Sequence, residues 1–383
     1  MKQLLYCLLV VLATGCKEKY DSPVHSPVTG YLVVDGVVNS VGTASLTLSR
    51  TTKFDNRNIV YETGAFVMVQ GQDSSAYFLG EKGNGIYSVD NLNLNTSLKY
   101  RLKIMASNGE RYISDFVIVK NNPPIDSVSW KVENSGVQLY INTHDPQNNT
   151  HYYQWIYDET WEFHSSFLST LKYQLTSNPG GATYSVVYRD PVNRSYDPTI
   201  TTCWQFNSPT NLFLGTTAKL SKDIVYLPLL YIPPASIKLG VLYSVHLKQY
   251  AWTEEGYAFL DKMRKNTEAT GSVFDAQPSE LKGNIQNITN PDNPVIGYFN
   301  VCPVQAMRIF IKNSDVPAWG YNPGCMDVVI ENISDSIEKK GLGLLPTVVE
   351  LNGSAGIITF RAAPPGCVDC TLSGTNKKPS YWP

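Results

Sequence analysis

Asp158, Glu159 and Glu162 fall within the run HYYQWIYDETWEF at residues 151–163, and they are the acid–base candidates of this chain. Glycoside hydrolysis needs two carboxyl groups flanking the scissile bond, one donating a proton and the other acting as base or nucleophile. A glycan-directed surface hydrolase working through the carboxylates near Glu159 is therefore one reading of the sequence. No other catalytic signature joins them. The chain has no G-x-S-x-G nucleophile elbow, no H-E-x-x-H helix, no Walker loop and no G-x-G-x-x-G turn. The five histidines, His25, His144, His151, His164 and His246, form no i, i+4 pair on a helix. His144 and His151 flank Asp145-Pro146-Gln147-Asn148-Asn149, whose side-chain oxygens suit calcium by type. Asx-Pro sequences are also ordinary turn chemistry, and the turn is the preferred reading. The sequence thus calls for no metal and no cofactor.

The two-residue period of a strand gives the acidic run a second meaning. If residues 151–163 form one strand, Tyr153, Trp155, Tyr157, Glu159, Trp161 and Phe163 share a face. One carboxylate then lies among five aromatic rings, on a face that is either a ligand groove or a core. In a groove, Glu159 is a buried acid with a raised pKa, or a polar handle for a ligand. In a core, a bulge or bend near Asp158 turns it to solvent, or an arginine pairs with it. Core carboxylates are rare and bulges commonly re-aim a side chain, so the core reading is the expectation, with Trp155 and Trp161 inside.

Cysteine supplies the remaining chemistry. The chain opens Met1-Lys2-Gln3, runs apolar from Leu4 to Leu12, and closes with Ala13-Thr14-Gly15 before Cys16. A charged start, a short apolar stretch and small residues at a cleavage point form a secretory signal, too short for the roughly 20 residues of a membrane span. With Cys16 directly after Gly15, the segment resembles the lipobox of a bacterial lipoprotein, with Ala13 where leucine is usual. Residues 1–15 are then a signal peptide, and Cys16 is acylated and holds the protein to a bilayer. Residues 16–27, polar and carrying Pro23 and Pro27, read as a tether.

An exported chain sits where disulfides persist. Cys7 leaves with the signal, so Cys203, Cys302, Cys325, Cys367 and Cys370 remain besides Cys16. Cys367-Val368-Asp369-Cys370 has zinc or redox spacing, but no second such pair accompanies it. The tail around it, with Pro364, Pro365, Gly366 and Lys377-Lys378-Pro379, is too poor in apolar periodicity to fold alone. Cys367 and Cys370 are therefore expected to bridge to distant cysteines, with Cys203 and Cys325 as partners and Cys302 a buried free thiol. Four cysteines allow three connectivities, and the sequence leaves the pairing open.

The elements that position these residues read as strands. Charged residues make up only 17 % and aromatics 11 %, with 24 tyrosines, a composition suited to half-buried sheet faces. A net charge of −2 provides no electrostatic footprint for nucleic acid. Short strands recur at Tyr31 to Val34, Ser45 to Ser49, Ala65 to Val69, Ala76 to Leu79, Tyr100 to Ile104 and Tyr112 to Val119. Asp35-Gly36, Asn84-Gly85 and Asn108-Gly109 punctuate them, as hairpin turns do. The fold class is mainly β: an N-terminal immunoglobulin-like or transthyretin-like β-sandwich at residues 28–121, then a larger β-rich domain at 124–383. Pro123-Pro124 forms the stiff joint. A strand pair around Asn134-Ser135-Gly136 opens the second domain. Residues 170–199, rich in Ser, Asn, Gly, Pro and Tyr, read as long loops or an insertion with one strand at Tyr184 to Tyr188. One short helix follows Thr253, with Glu254 and Glu255 at its positive end, an apolar stripe of Tyr257, Leu260 and Met263, and Gly271 as its stop.

Several stretches together resemble one family. They are Pro123-Pro124-Ile125-Asp126-Ser127-Val128-Ser129-Trp130, the Tyr152 to Phe163 run, and Gly271-Ser272-Val273-Phe274-Asp275 continuing through Gln277-Pro278 to Gly283-Asn284-Ile285. Val295-Ile296-Gly297-Tyr298-Phe299, the Cys367 to Cys370 motif and Lys378-Pro379-Ser380-Tyr381-Trp382 complete the set. This combination resembles the Bacteroidota lipoproteins called domain of unknown function 4249, over nearly the whole mature chain. The resemblance implies an outer-membrane accessory or substrate-capture lipoprotein, non-enzymatic, partnered with a TonB-dependent receptor. Cys16-Lys17-Glu18 also resembles the export signal of surface lipoproteins, and the single acidic residue before Lys19 leaves outward or periplasmic orientation open. The capture role is the expected function, and the glycan-directed hydrolase is its alternative.

Overall fold

A computed structural model describes residues 30–52, 58–179, 181–268 and 281–383. The signal peptide, Cys16, the tether, and the Gly271 to Gln277-Pro278 stretch lie outside the described residues. No described helix is long and apolar enough to cross a membrane.

The chain is mainly β. Its first ten strands are β1 (Leu32–Asp35), β2 (Val38–Asn39), β3 (Val41–Arg50), β4 (Val60–Tyr61), β5 (Phe66–Gly71), β6 (Ala76–Gly83), β7 (Ile86–Asn93), β8 (Lys99–Met105), β9 (Arg111–Ser114) and β10 (Val117–Ile118). They pair in the order β1-β3-β7-β6-β5-β8-β9, and β6 bonds to both β5 and β7, which folds the path over itself. Alternation sends Ala44, Leu46 and Leu48 of β3 and Tyr100, Leu102 and Ile104 of β8 into one core. The β6–β7 hairpin turns on Asn84 and Gly85, with φ of 50° and 66°, the paired left-handed geometry that the Asn-Gly sequence favours. A Cβ on Gly85 would also collide with the Leu48 carbonyl oxygen.

This sandwich does not end at residue 121, as the sequence suggests. After the second domain has begun, the chain returns: β20 (Ile285–Asn287) pairs with β9, and β21 (Val301–Cys302) runs parallel to β2. Ile285, Val295, Phe299 and Val301 complete the first core. These strands are only two or three residues long and separated by Pro291 and Pro294, so they leave no periodic signal to read.

The second sandwich faces two sheets together. One is β11 (Ile125–Glu133), β12 (Gly136–His144) and β18 (Ile224–Ile232); the other holds β13 (Tyr152–His164), β16 (Thr202–Asn207), β17 (Phe213–Thr216), β19 (Leu242–Ala251) and β22 (Gln305–Lys312). Val137, Leu139 and Ile141 pack against Tyr153, Trp155, Tyr243, Val245 and Leu247. The β11–β12 turn places Asn134 and Ser135 in left-handed backbone, rather than Gly136.

Residues 170–199 are only partly loop, since the long irregular stretch lies after Tyr188. Leu171–Asn178 (β14) and Gly181–Tyr188 (β15) form a hairpin over the sheet β23 (Val328–Glu331), β25 (Gly356–Ala363) and β24 (Leu345–Gly353). Leu171, Val186, Ile330, Ile337 and Phe360 make a third, small core. The Ser, Thr and Asn residues that suggested loops lie on or beside a hairpin with one solvent-facing side.

The joint between the sandwiches is rigid by hydrogen bonding. Gln249, fully buried, accepts from Trp155 Nε1 (2.9 Å) and donates through Nε2 to the Pro123 carbonyl (2.8 Å). Asn122 Nδ2 donates to the Gln249 and Pro303 carbonyls, both at 2.8 Å. The helix α1 (Glu254–Glu268) begins where Thr253 Oγ1 accepts from Gly256 N–H (3.2 Å), and it lays Phe259 and Leu260 against Trp252. A side chain at Gly256 would meet the Trp252 ring at 2.7 Å, so glycine lets the helix approach.

Candidate functional site

From Tyr152 onward the run is one strand, β13, and its inward face is a filled core. Tyr153 and Trp155 are wholly buried, stacked 5.5 Å apart, and Trp161 and Phe163 are buried with them; Tyr157 is partly buried against the same core. Tyr153 also donates to Asp223 Oδ2 (2.7 Å); burial first, then that hydrogen bond and the Asp223 charge, drive the tyrosine pKa up.

Glu159 departs from the expected bulge. The β13–β19 register runs unbroken from Tyr153 to Glu162, so alternation turns Glu159 inward, where it is 3 % exposed. Its partner is a lysine rather than an arginine. Lys238 Nζ donates to Oε1 at 2.6 Å, Tyr243 OH donates to the same oxygen at 2.8 Å, and Asn207 Nδ2 reaches Oε2 at 2.6 Å. Lys238 lies over the Trp161 ring, 5.1 Å from its centroid. Burial, and then the Glu159 charge, hold the Tyr243 hydroxyl well above its ordinary value. A shallow recess of about 510 Å³ opens beside Lys238, Trp161 and Asn207.

The three candidate carboxylates do not converge. Asp158 and Glu162 alternate to the opposite face of β13 from Glu159. Asp158 accepts from Ser208 Oγ (2.7 Å), and Glu162 accepts from Trp382 Nε1 (2.8 Å). Four residues of strand set them about 13 Å apart, beyond the roughly 5–9 Å separations of a glycosidase pair. Asp145 spends both oxygens inside its own turn, on Gln147 N–H, Asn149 N–H and Thr150 Oγ1.

The cysteines pair as Cys203–Cys370 and Cys325–Cys367, and Cys302 is a buried free thiol pushed up to about 12 by burial. The tail beyond them is clamped as well. Trp382 packs on Trp204 and Phe310, and the Tyr381 hydroxyl is 2.8 Å from Thr160 Oγ1.

Sequence reasoning missed a second concavity. A cleft of about 390 Å³ lies between the sandwiches, walled by β1, β13, β19, α1 and the return segment. Asp35 and Tyr61 face it from the first sandwich, Ile156 and Tyr250 from the second, and Met263 from the helix. Its volume falls in the usual range of small-molecule sites, and its lining is largely apolar. Eight separate stretches of chain build it, so no local motif announces it.

The fold has distant likenesses among solved structures. A two-domain fibronectin type-III segment of chicken tenascin aligns at 13 % identity, covering 59 % of this chain and 93 % of that one, with a TM-score of 0.17. The chicken interferon gamma receptor alpha chain aligns at 10 % identity over 59 % and 90 %, with a TM-score of 0.16. A chitinase from Bacillus thuringiensis aligns at 12 % identity over 53 % of this chain and 28 % of its own, with a TM-score of 0.14. Scores this low carry no argument about function. No curated protein matches the chain. Residues 17–308, more than half of the sequence, match a family described as Domain of unknown function (DUF4249), and the chain belongs to that family.

Proposed function

We propose that the mature protein is a non-catalytic capture lipoprotein, acylated at Cys16, held in the outer membrane, and working as the accessory partner of a TonB-dependent receptor. The observation that carries this reading is the cleft: a preformed, mostly apolar concavity between two sandwiches whose joint is locked by Gln249 and Asn122. A preorganised cleft binds without a large ordering cost, which suits capture and handover. The acidic residues suggested for catalysis are instead occupied, Glu159 by three donors and Asp158 and Glu162 by their own neighbours. The lipobox-like segment and the two disulfides fit an anchored protein in an oxidising compartment.

Affinity purification of the native lipoprotein from detergent-solubilised outer membrane tests the partnership. The expected result is co-recovery of a TonB-dependent receptor, absent when Cys16→Ala is used as bait. Recovery of no receptor contradicts the accessory role.

A further inference from the structure

Building on the capture reading, we propose that the cleft is a site for an organic cation, an ammonium group carried on an apolar body. Asp35 is the sole charged side chain among the described lining residues. It ends β1, just before Gly36 turns the chain with φ of 124°. The aromatic residues Tyr61, Tyr250, Trp252, Phe259 and Tyr298 line the same cleft. Aromatic faces attract cations through their ring quadrupoles, most strongly where water is excluded.

Asp35 has no side-chain partner among the hydrogen bonds and ion pairs of the described cleft residues. It keeps access to solvent as a residue, while the walls of the cleft it lines crowd its carboxyl. That crowding raises its carboxyl above the ordinary value, outweighing the hydrogen bond from the Gly36 N–H. A bound cation would restore what the carboxylate has lost. Tyr250 shares the space, and its hydroxyl is pushed up to about 12, chiefly by burial, then by Cys302 and Asp158, and least by Asp35. Gln154 turns its Oε1 to Trp252 Nε1 at 3.0 Å.

The choice among ligand classes follows from charge. A neutral apolar ligand uses the walls and leaves Asp35 crowded and unpaired. An anion meets Asp35 with no basic residue among the described lining residues to receive it; Arg264 and Lys265 of α1 lie outside that lining and are engaged by Asp261. A cation with an apolar body uses both features.

Isothermal titration with 4-phenylbutylamine, 4-phenylbutan-1-ol and 4-phenylbutyrate tests this. The mature chain carries Cys16→Ser, so that no detergent absorbs the probes and every cleft residue is intact. The amine is expected to bind at least about tenfold more tightly than the alcohol, and the carboxylate most weakly. Asp35→Asn should level amine and alcohol while leaving alcohol binding in place, and Ile156→Trp, which fills the cleft from an exposed strand position, should abolish both. Equal binding of amine and alcohol, preference for the carboxylate, or an amine preference that survives Asp35→Asn overturns the cation assignment and leaves capture in the cleft standing. Failure of all three probes to bind removes the cleft as a site and overturns both readings. Circular dichroism of each variant checks that it is folded.

Discussion

Lys238 Nζ lies 2.6 Å from Glu159 Oε1, joining residues 79 positions apart at the edge of the second core. Without the lysine, Glu159 keeps only Tyr243 and Asn207 as donors. Removing one member of a fully buried pair typically costs about 3–5 kcal/mol; Lys238 keeps some access to water, so Lys238→Met should cost about 2–3 kcal/mol. Glu159→Gln combined with Lys238→Met should recover most of that loss, because no uncompensated charge is left. Urea unfolding of the two single variants and the double variant reads out the coupling.

Trp155→Ala should destabilise the protein by about 3–5 kcal/mol, through the cavity it leaves in a wholly buried position. The same change strips Gln249 of its donor at the domain joint. Trp161→Ala should fall in the same range, since Trp161 is only 8 % exposed although it borders the shallow recess. A change within about half a kcal/mol for Trp161, as at an ordinary surface position, would contradict the core assignment.

Non-reducing peptide mapping should recover Cys203–Cys370 and Cys325–Cys367, with Cys302 as the remaining thiol. Because burial holds the Cys302 thiol near 12, it should resist alkylation in the native protein and react once unfolded. Reduction should lower stability by about 2–4 kcal/mol per bridge. Iodoacetamide labelling followed by mass spectrometry checks the thiol.

The first sandwich should be acid-sensitive. Glu110 is lowered from 4.5 to about 2, first by the Tyr112 hydroxyl it accepts from, then by Asn108, with Arg50 adding charge. Glu62 is also lowered, since Arg50 and Ser107 outweigh its burial. A carboxyl depressed in the folded state binds protons more readily when unfolded. Its contribution is therefore complete above the unfolded value near 4.5 and is lost as pH falls toward 2. Tyr112→Phe removes the largest cause for Glu110 and should shift the onset of acid unfolding upward, as followed by circular dichroism.

What the sequence disclosed was local or compositional. Strict alternation in Ser45 to Ser49 and Tyr100 to Ile104 marked strands whose inward residues form the first core, and HYYQWIYDETWEF read correctly as a single strand from Tyr152 onward. The cysteine partners followed from export and from a tail with no core of its own. The misses were non-local. Nothing near Glu159 names Lys238, and a bulge at Asp158 was a fair expectation only because burying a carboxylate demands a partner invisible at that range. The β14–β15 hairpin hid behind Ser, Thr and Asn on its wet side, and the return of residues 285–302 rested on strands too short to show a period. The cleft joins the return segment to β1, β3, β4, β13, β19 and α1, pieces far apart in sequence, so it emerged only with the fold.

The most direct test of capture is native mass spectrometry of the protein extracted from its own membrane, wild type beside Ile156→Trp. A small molecule bound to the wild type and missing from the cleft-filled variant is the predicted result. No bound mass in either, or the same mass retained in both, would contradict the account.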